Sequence, residues 1–336
     1  MKKLLLVAAL FVFFGCNVPT ISFSTSAPTS LPTAQATVIV PIQPTAEPGT
    51  AANPLILALA PSAHPTDDVL AAGKMLAAQL TTLTNFQVVT VAPTTETDLV
   101  HTFEIGNAQI GVLSPFAYLL AYENGNVNAS LASIRNGQTL YGAQFIARAD
   151  AGFTSYFDPA SDKNTAEAAQ ALAQFNNKKP CWSDMASPSG YVVPLGFLKQ
   201  AKVQVSSDAA FVQGQATVVR AVYGKDICDF GATYIDARAL PVLASDYPDV
   251  MDKVEVVWRI PPIIPYEQVV VASNLNPEIK RTLLRAFVDL MNTTDGKTAV
   301  QKIYGLDTLQ PTDDSQYKDF ASYVQDSGID LNTLIK

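Results

Sequence analysis

Apolar runs and amphipathic stretches alternate in the early part of the sequence. Residues 55–60 are all apolar, as expected for a strand buried on both faces of a parallel sheet. Residues 67–83 place apolar side chains along one face of a helix. A second strand at 86–91, a second helix at 96–105 and a third strand at 110–113 follow. This β-α-β-α-β order predicts an open parallel sheet with helices on both faces.

A second unit of the same kind follows, and the chain then returns to the first pattern. Strand 141–148 leads into amphipathic helices at 165–175 and 215–223. Residues 254–265 end in prolines and isoleucines, so this stretch is extended rather than helical. Strand 269–272 resumes the first pattern. We therefore predict an α/β fold of two lobes, each a mainly parallel sheet flanked by helices. A two-strand hinge joins the lobes around a cleft that can close on a ligand.

The amino-terminal residues have the composition of an export signal. Two lysines precede an apolar stretch at 4–14, which is followed by Gly15 and Cys16. This stretch is too short to cross a bilayer, which takes roughly 20 apolar residues. A cysteine after a small residue resembles the lipidation motif of bacterial lipoproteins. We predict that 1–16 is a lipoprotein signal peptide and that lipidated Cys16 anchors the protein outside the cytoplasm, with a plain signal peptide as the alternative.

The next segment, 17–53, is rich in Thr, Pro, Ser and Ala and nearly uncharged. Because such a composition cannot build a core, we predict a disordered tether. The folded part then starts at residue 54 and is long enough for two linked lobes. We place the first lobe at 54–146 plus 260–336 and the second lobe at 147–259.

Charge and composition disfavour several classes of function. A net charge of −8 and a pI near 4.8 disfavour nucleic-acid binding. The chain has two histidines and no Cys/His cluster with ligand spacing, so we predict no metal and no cofactor. The sequence offers no nucleophile beside a base and no glycine-rich nucleotide loop, so we expect no enzyme. Outside the cytoplasm, Cys181 and Cys228 are expected to form a disulfide.

Residues 184–191, here called the serine segment, are typical of a helix N-terminus that holds an anion. Ser187 and Ser189 supply hydroxyls that can cap the helix, and Pro188 suits its first position. Gly190 allows the backbone to come close to a ligand. Free N–H groups and the positive end of the helix dipole then face whatever binds there. An ordinary Ser-capped surface helix is the alternative interpretation.

Polar residues also follow the strands of the first lobe. Ser62 comes after the first strand, and Ser114 and Tyr118 come after the third. Ligands of open α/β sheets bind outside the carboxyl ends of the strands, which makes these residues candidates for the opposite wall of the cleft. A serine just before a helix is more commonly a cap, so a structural role for Ser114 stays open.

With these motifs, the sequence resembles the substrate-binding lipoproteins of phosphate, phosphite and phosphonate ABC transporters, which are type II periplasmic binding proteins. The resemblance covers almost all of 54–325. It is carried by the serine segment with Pro194, by the stretch 106–118, by 221–224 with 229–232, and by the crossing 258–265. The chain departs from the family at Pro188, where the family has threonine, and at Gln215, near where the family often has histidine.

The resemblance implies a solute-binding lipoprotein of an ABC importer that captures a small phosphorus oxyanion and delivers it to the permease, as a monomer. The implied ligand-binding residues are Ser62, Ser114, Tyr118, Tyr141, Ser187, Ser189, Gly190, Tyr191, Gln215 and Asp229. Asp229 would accept a P–OH proton or a ligand ammonium group, and Gln215 would replace the family's histidine as a donor. Two alternatives stay open: a receptor of the same fold for an organic solute, and a lipoprotein that senses a ligand for another membrane protein.

Overall fold

The computed structural model describes residues 46–335. The predicted signal peptide, Cys16 and residues 17–45 of the predicted tether lie outside the described residues. Residues 46–53, which the composition assigns to the tether, instead form a turn on the folded unit. In this turn the Gly49 carbonyl accepts a hydrogen bond from the Gln87 N–H at 2.7 Å. The folded unit therefore begins before residue 54, because backbone hydrogen bonds hold these polar residues on the first lobe.

Strands and helices alternate along the described residues. The strands are β1 Leu55–Ala58, β2 Val88–Val91, β3 Ile110–Leu113, β4 Val127–Ser133, β5 Leu140–Arg148, β6 Phe157–Asp158, β7 Lys163–Asn164, β8 Pro180–Trp182, β9 Ala210–Phe211, β10 Phe230–Tyr234, β11 Val254–Pro265, β12 Gln268–Ala272 and β13 Leu309–Pro311. The helices are α1 Asp67–Thr84, α2 Glu96–Glu104, α3 Pro115–Glu123, α4 Ala168–Leu172, α5 Val193–Gln200, α6 Gln215–Gly224, α7 Pro241–Asp246, α8 Val250–Lys253, α9 Pro277–Met291, α10 Thr294–Tyr304 and α11 Lys318–Ser327. Within residues 46–335, none of these helices is both long and apolar enough to cross a membrane.

The first sheet has six strands in the order β13-β4-β12-β3-β1-β2. Strands β1, β2 and β3 run parallel, as the β-α-β pattern predicts. Strands β12, β4 and β13 join them through antiparallel pairings. The sheet is thus mixed rather than mainly parallel, because the returning chain enters it from the opposite direction.

The second sheet has five strands in the order β11-β5-β10-β8-β9. Strands β8, β9 and β10 run parallel, whereas β5 and β11 are antiparallel to their neighbours. This sheet is also mixed, and its antiparallel half consists of the two strands that connect it to the first sheet. The separate hairpin of β6 and β7 adds a small two-stranded sheet.

Two adjacent crossings connect the sheets. Strand β5 follows β4 of the first sheet, and β11 leads back to β12. The two strands pair from Leu140 opposite Pro265 to Arg148 opposite Val254. They form the predicted two-strand hinge. The predicted lobe boundaries at 146/147 and 259/260 fall inside these strands, and they stay a prediction.

The helix α11 packs on α5, the helix that follows the serine segment. Gly196 has no side chain at the point where a Cβ would overlap the Tyr323 carbonyl oxygen. The rings of Phe197 and Tyr323 stack with centroids 3.7 Å apart. Lys199 Nζ donates to the Ser327 carbonyl at 2.6 Å. A segment more than 100 residues away in sequence therefore covers the helix that carries the candidate site.

Candidate functional site

The serine segment opens its helix with a π-helical turn, Pro188–Val192. The Val192 N–H donates to the Ser187 carbonyl at 3.0 Å, five residues back instead of four. Pro194 explains the wider turn, because proline has no N–H and its ring clashes with the carbonyl four residues earlier. That carbonyl belongs to Gly190, and it accepts the Ser183 N–H at 3.2 Å instead. Such π turns are frequent at functional sites.

Gly190 is required by close packing inside this turn. A Cβ at this position would overlap the Ser183 hydroxyl oxygen and lie 2.8 Å from the Ser183 Cβ. Ser183 is fully buried, so it has no space to move away. The Gly190 N–H donates to Ser187 Oγ at 3.0 Å, as an N-cap hydrogen bond. In this structure Gly190 shapes the turn, and its N–H is used inside the protein rather than offered to a ligand.

The Gln215 side chain is hydrogen-bonded to the serine segment and to the residue before it. Its Nε2 donates to Ser187 Oγ at 3.3 Å and to Ser183 Oγ at 3.4 Å. Its Oε1 accepts the Tyr234 N–H at 3.2 Å. Gln215 is the first residue of α6, so the start of this helix is tied both to the serine segment and to the end of β10.

The serine pocket is a cavity of about 540 Å³ in front of this turn. Residues of the second sheet's loops and helices form one wall, namely Ser187, Pro188, Ser189, Gln215, Tyr234 and Ile235. The crossing and the first lobe form the other wall, with Pro115, Arg135, Asn136, Tyr141, Pro265, Tyr266 and Glu267. The pocket therefore lies where both lobes meet the hinge.

Arg135 and Glu267 form an ion pair at the first-lobe wall. Arg135 Nη2 lies 2.6 Å from Glu267 Oε2, and its guanidinium lies 5.2 Å from the Tyr266 ring centroid. Tyr266 stacks on Tyr141 with centroids 4.9 Å apart. Burial raises the pKa of Tyr141 to about 12, and contact with the Ser189 hydroxyl acts in the opposite direction. The Tyr141 hydroxyl is thus protonated at neutral pH and available as a donor.

Glu96 adds a second carboxylate beside this wall. It is the first residue of α2, behind the capping residue Thr95, whose hydroxyl accepts the Asp98 N–H at 3.0 Å. Burial raises the pKa of Glu96, a hydrogen bond with Ser114 lowers it, and the charge of Glu267 raises it. Ser114 itself caps α3, with its hydroxyl accepting the Ala117 N–H at 3.4 Å. The first-lobe wall therefore carries acidic groups next to its helix starts.

A second cavity of about 510 Å³ continues from the serine pocket along the crossing. The two share Arg135, Asn136, Tyr141, Ile235 and Tyr266. The far end contains Arg259, whose guanidinium lies 4.1 Å from the Phe157 ring centroid and pairs with Asp162. The cleft thus extends beyond the volume in front of the serines.

The model of the family described as "ABC transporter, phosphonate, periplasmic substrate-binding protein" matches residues 58–317 of this chain. The chain belongs to this phosphonate-binding family. Membership places the protein outside the cytoplasm, as a receptor that binds a small ligand and works with an ABC permease. The family is one of transport receptors and not typically of enzymes. A comparison with curated proteins gives no match.

Solved structures show the same fold at low sequence identity. XAC2383 from Xanthomonas citri bound to ATP has a TM-score of 0.58 at 16% identity, over 82% of this chain and 98% of that one. The Mycoplasma hyorhinis protein Mh-p37 has a TM-score of 0.52 at 10% identity, over 80% of this chain and 98% of that one. The predicted two-lobed fold of a type II periplasmic binding protein is confirmed.

In this family member, four of the predicted ligand residues line the serine pocket: Ser187, Ser189, Tyr141 and Gln215. Ser114 stands beside it, next to the lining residue Pro115. Gln215 lines the pocket but uses its amide to hold Ser187, Ser183 and Tyr234. Gln215 is therefore a hydrogen-bond donor as predicted, but its acceptors in this structure are the serine hydroxyls of the protein.

The aromatic candidates Tyr118 and Tyr191 point away from the pocket. Tyr118 is buried, and its hydroxyl donates to Asp314 Oδ1 at 2.8 Å. Tyr191 packs against Trp182 and Phe211, with centroid distances of 5.5 and 4.8 Å. Each ring is held by an aromatic or acidic partner within one lobe, so neither side chain is placed to contact a ligand in the serine pocket.

Ser62 and Asp229 also lie apart from the serine pocket. The Ser62 hydroxyl accepts the His64 N–H at 3.3 Å in a local turn. Asp229 is exposed, and its carboxylate accepts the Lys179 N–H at 2.7 Å. Asp229 precedes the first residue of β10, whereas Tyr234 at the other end of this strand lines the pocket. The length of β10 separates Asp229 from the serines.

The disulfide candidates meet at the same end of the second sheet as Asp229. The sulfur atoms of Cys181 in β8 and Cys228 before β10 are bonded, with a Cα–Cα distance of 5.6 Å. Strands β8 and β10 are parallel neighbours, paired from Pro180 opposite Phe230. The bond therefore fastens the ends of these strands that lie away from the serine pocket.

Six pocket residues have no counterpart in the sequence-based prediction: Arg135, Asn136, Tyr234, Ile235, Tyr266 and Glu267. Arg135 begins the tight turn between β4 and β5, where its N–H and carbonyl pair with Gln138. Tyr266 and Glu267 form the link between β11 and β12. The positions of Arg135, Tyr266 and Glu267 could have indicated them, because polar residues in the two links between lobes lie at the cleft of a hinged fold. Tyr234 is the last residue of β10 and has no such signal.

Proposed function

We propose that this protein captures a phosphorus oxyanion (phosphate, phosphite or a phosphonate) in the serine pocket and delivers it to an ABC permease. The observation that carries the proposal is the convergence of donors on one cavity. The hydroxyls of Ser187, Ser189 and Tyr141 line it together with the Arg135 guanidinium. Hydroxyls, first-turn N–H groups and the helix dipole hold anions well, because their dipoles are fixed before the anion arrives.

The charge of the pocket favours directed hydrogen bonding over simple ion pairing. Glu267 already compensates the charge of Arg135 at 2.6 Å. An anion here gains most from donors whose positions match its oxygens, which supports tetrahedral selectivity. Family membership supports the same ligand class.

The size of the pocket favours a phosphonate among the three oxyanions. A bare tetrahedral anion fills a small part of about 540 Å³. Next to the donors, Ile235, Pro265 and the Tyr266 ring offer apolar surface. An organic substituent on phosphorus can cover this surface, whereas the hydrogen of phosphite or the hydroxyl of phosphate cannot.

A calorimetric panel tests the proposal. Phosphate, phosphite, methylphosphonate and 2-aminoethylphosphonate are each titrated into the purified protein, with sulfate and a set of organic solutes as comparison. We expect heat and thermal stabilisation with a phosphorus oxyanion, by about 2.7 kcal/mol at a hundredfold excess over Kd. No response to any of the four would overturn the proposal.

A different organic solute is the second candidate, and the stacked pair Tyr141–Tyr266 favours it. Two parallel rings on the wall of a cleft suit a flat or apolar ligand without phosphorus. The same panel separates the candidates, since this alternative requires an organic solute to bind more tightly than every oxyanion. A ligand-sensing role is tested separately, by asking whether uptake of the bound solute is lost when the gene is deleted.

We propose that the protein is held at the membrane by a lipid on Cys16 and acts there as a monomer. The apolar stretch before Gly15 and the uncharged segment after Cys16 support this. Incorporation of labelled palmitate, and its loss in Cys16→Ser, tests the anchor. Release of Cys16→Ser into the extracellular or periplasmic fraction is expected. If the wild-type protein incorporates no labelled palmitate, the proposed lipid anchor is wrong.

We also propose that binding leaves the ligand chemically unchanged and closes the lobes predicted at 54–146 plus 260–336 and at 147–259. The two-strand hinge of β5 and β11 supports closure. Phosphorus NMR of the recovered ligand tests the first point. Small-angle scattering tests the second, with a smaller radius of gyration expected in the presence of ligand. A product signal or an unchanged radius would contradict the respective point.

A further inference from the structure

The Ser187 hydroxyl accepts two hydrogen bonds from the protein. One comes from the Gly190 N–H at 3.0 Å and the other from Gln215 Nε2 at 3.3 Å. A serine hydroxyl has two lone pairs and one hydrogen. Because the protein occupies both lone pairs, the hydroxyl can contribute only its hydrogen to a ligand.

The orientation of the Gln215 amide is fixed by its other end. Its Oε1 accepts the Tyr234 N–H at 3.2 Å, so this atom must be the oxygen. Nε2 then faces the serines, where its two hydrogens reach Ser187 and Ser183. A flipped amide would place its NH₂ against the Tyr234 N–H and leave both serine hydroxyls without this donor.

We propose that Gln215 fixes Ser187 as a hydrogen-bond donor, so that the serine pocket selects the dianion of a phosphonate or of phosphite over the monoanion, which carries P–OH. This inference rests on the proposed function. The Arg135 guanidinium agrees with it, because it donates only, and the Glu267 oxygen Oε2 is engaged by Arg135 at 2.6 Å. A protonated ligand oxygen at Ser187 would meet a hydrogen instead of a lone pair.

The titratable groups around the pocket leave the ligand as the main source of pH dependence near neutrality. The titratable or charged lining residues are Arg135, Tyr141, Tyr234, Tyr266 and Glu267, and no histidine lines the pocket. Burial raises the pKa of each of the three tyrosines. Asp184 lines a different cavity, which shares Ser187 with the serine pocket. Glu96, whose pKa burial raises, faces Ser114 and Glu267 and needs a control of its own.

The test measures the pH dependence of affinity with methylphosphonate as the probe. In the wild type, Kd is expected to fall by about tenfold per pH unit below the second ionisation of the ligand and then to level off. That ionisation is read from phosphorus NMR of free methylphosphonate, and it lies near 6 for phosphate monoesters. The monomethyl ester of methylphosphonate has no second ionisation, and its weaker binding is expected to be independent of pH.

Gln215→Met removes the amide while keeping a side chain of similar length. One lone pair of Ser187 then becomes free to accept P–OH, so the slope is expected to drop below about threefold per pH unit. Gln301→Met, at an exposed position on α10, is the matched control and should keep the wild-type slope. Thermal unfolding of Gln215→Met checks that the protein is folded.

Each outcome decides the inference. A tenfold slope that persists in Gln215→Met with a uniform loss of affinity overturns it, because a merely structural role lowers binding equally at every pH. A slope that disappears in Glu96→Gln or Glu267→Gln but not in Gln215→Met assigns the effect to a carboxylate and also overturns it. Wild-type binding that is independent of pH overturns this inference alone. Absence of any oxyanion binding at every pH overturns the proposed function itself.

Discussion

The two walls of the cleft each begin a helix with Ser-Pro, at Ser114-Pro115 and at Ser187-Pro188. Both serines are N-caps whose hydroxyls accept the N–H three residues on, at 3.4 Å for Ser114 and 3.0 Å for Ser187. Both prolines line the serine pocket. The same dipeptide thus serves the same local purpose twice, as a cap followed by a residue that needs no N–H partner.

Their surroundings differ, and with them the chemistry that each can offer. Ser114 opens a regular α-helix next to the carboxylate of Glu96, and its hydroxyl lowers the pKa of that carboxyl. Ser187 opens a π turn and is held by the amide of Gln215. A neighbouring carboxylate uses the serine hydrogen, whereas a neighbouring amide leaves it for the pocket. The partner of a capping serine therefore decides whether its hydroxyl can accept a hydrogen bond from a ligand or donate one to it. The Ser114 side of the pocket is called the accepting wall, and the Ser187 side is called the donating wall.

The largest expected effect comes from removing the hydroxyls of the donating wall. In the double variant Ser187→Ala and Ser189→Ala, affinity for a phosphorus oxyanion should fall more than about a hundredfold, because each charge-assisted hydrogen bond contributes roughly 1.5–3 kcal/mol. Calorimetry measures the change. The control Ser245→Ala, at an exposed position on α7, should bind as the wild type does. Unchanged affinity in the double variant would place the ligand elsewhere.

Gly190→Ala disturbs the π turn that distinguishes the donating wall. Its new methyl group would overlap the buried Ser183 hydroxyl, so the unfolding free energy should fall by about 1–3 kcal/mol and oxyanion binding should weaken. Denaturant unfolding measures the stability. Gly224→Ala is the matched control, since a Cβ there meets no atom within 4 Å. Equal stability of the two variants would contradict the packing role of Gly190.

Ser114→Ala tests the accepting wall. Loss of the α3 cap should lower the unfolding free energy by about 1 kcal/mol, while oxyanion affinity changes by less than about threefold. Thermal unfolding and calorimetry on the same sample give both values. A large loss of affinity at unchanged stability would show that both walls grip the anion, and the contrast between them would fail.

Tyr141→Phe tests a donor in the hinge, between the two walls. At neutral pH the loss of one neutral hydrogen bond should weaken binding by about 0.5–1.5 kcal/mol. The tyrosine pKa is raised from its ordinary 10.0 to about 12, so its contribution to stability is full below pH 10 and falls as pH rises from 10 toward 12. Unfolding free energies across this range should decline more steeply for the wild type than for Tyr141→Phe. Parallel curves would contradict the assigned pKa.

Local chemistry made much of the fold and part of the site predictable. The helix predicted at 96–105 is found as Glu96–Glu104, because capping and apolar spacing are encoded within one element. Ser187 and Ser189, which line the serine pocket, were selected from the same kind of local signal. The direction of β12 was not predictable, since a buried apolar strand has the same residue pattern in parallel and in antiparallel pairing. The mixed sheets follow from that return.

Residues whose role depends on distant partners could not be assigned from the sequence. Tyr118 fits a ligand motif, but its hydroxyl is taken by Asp314, which lies far along the chain. Arg135 and Glu267 meet only because the turn after β4 and the link before β12 lie together. Gln215 was identified as a donor, yet its acceptors became known only from the packing of α6 against the serine segment.

The contact between α5 and α11 sets an order of events during folding. The serine segment and α5 are synthesised well before residues 318–327, which cover α5 through Tyr323 and Ser327. Until that cover arrives, the apolar side of α5 faces water and its first turn lacks support. The serine segment therefore reaches its final packing only after the late segment has docked.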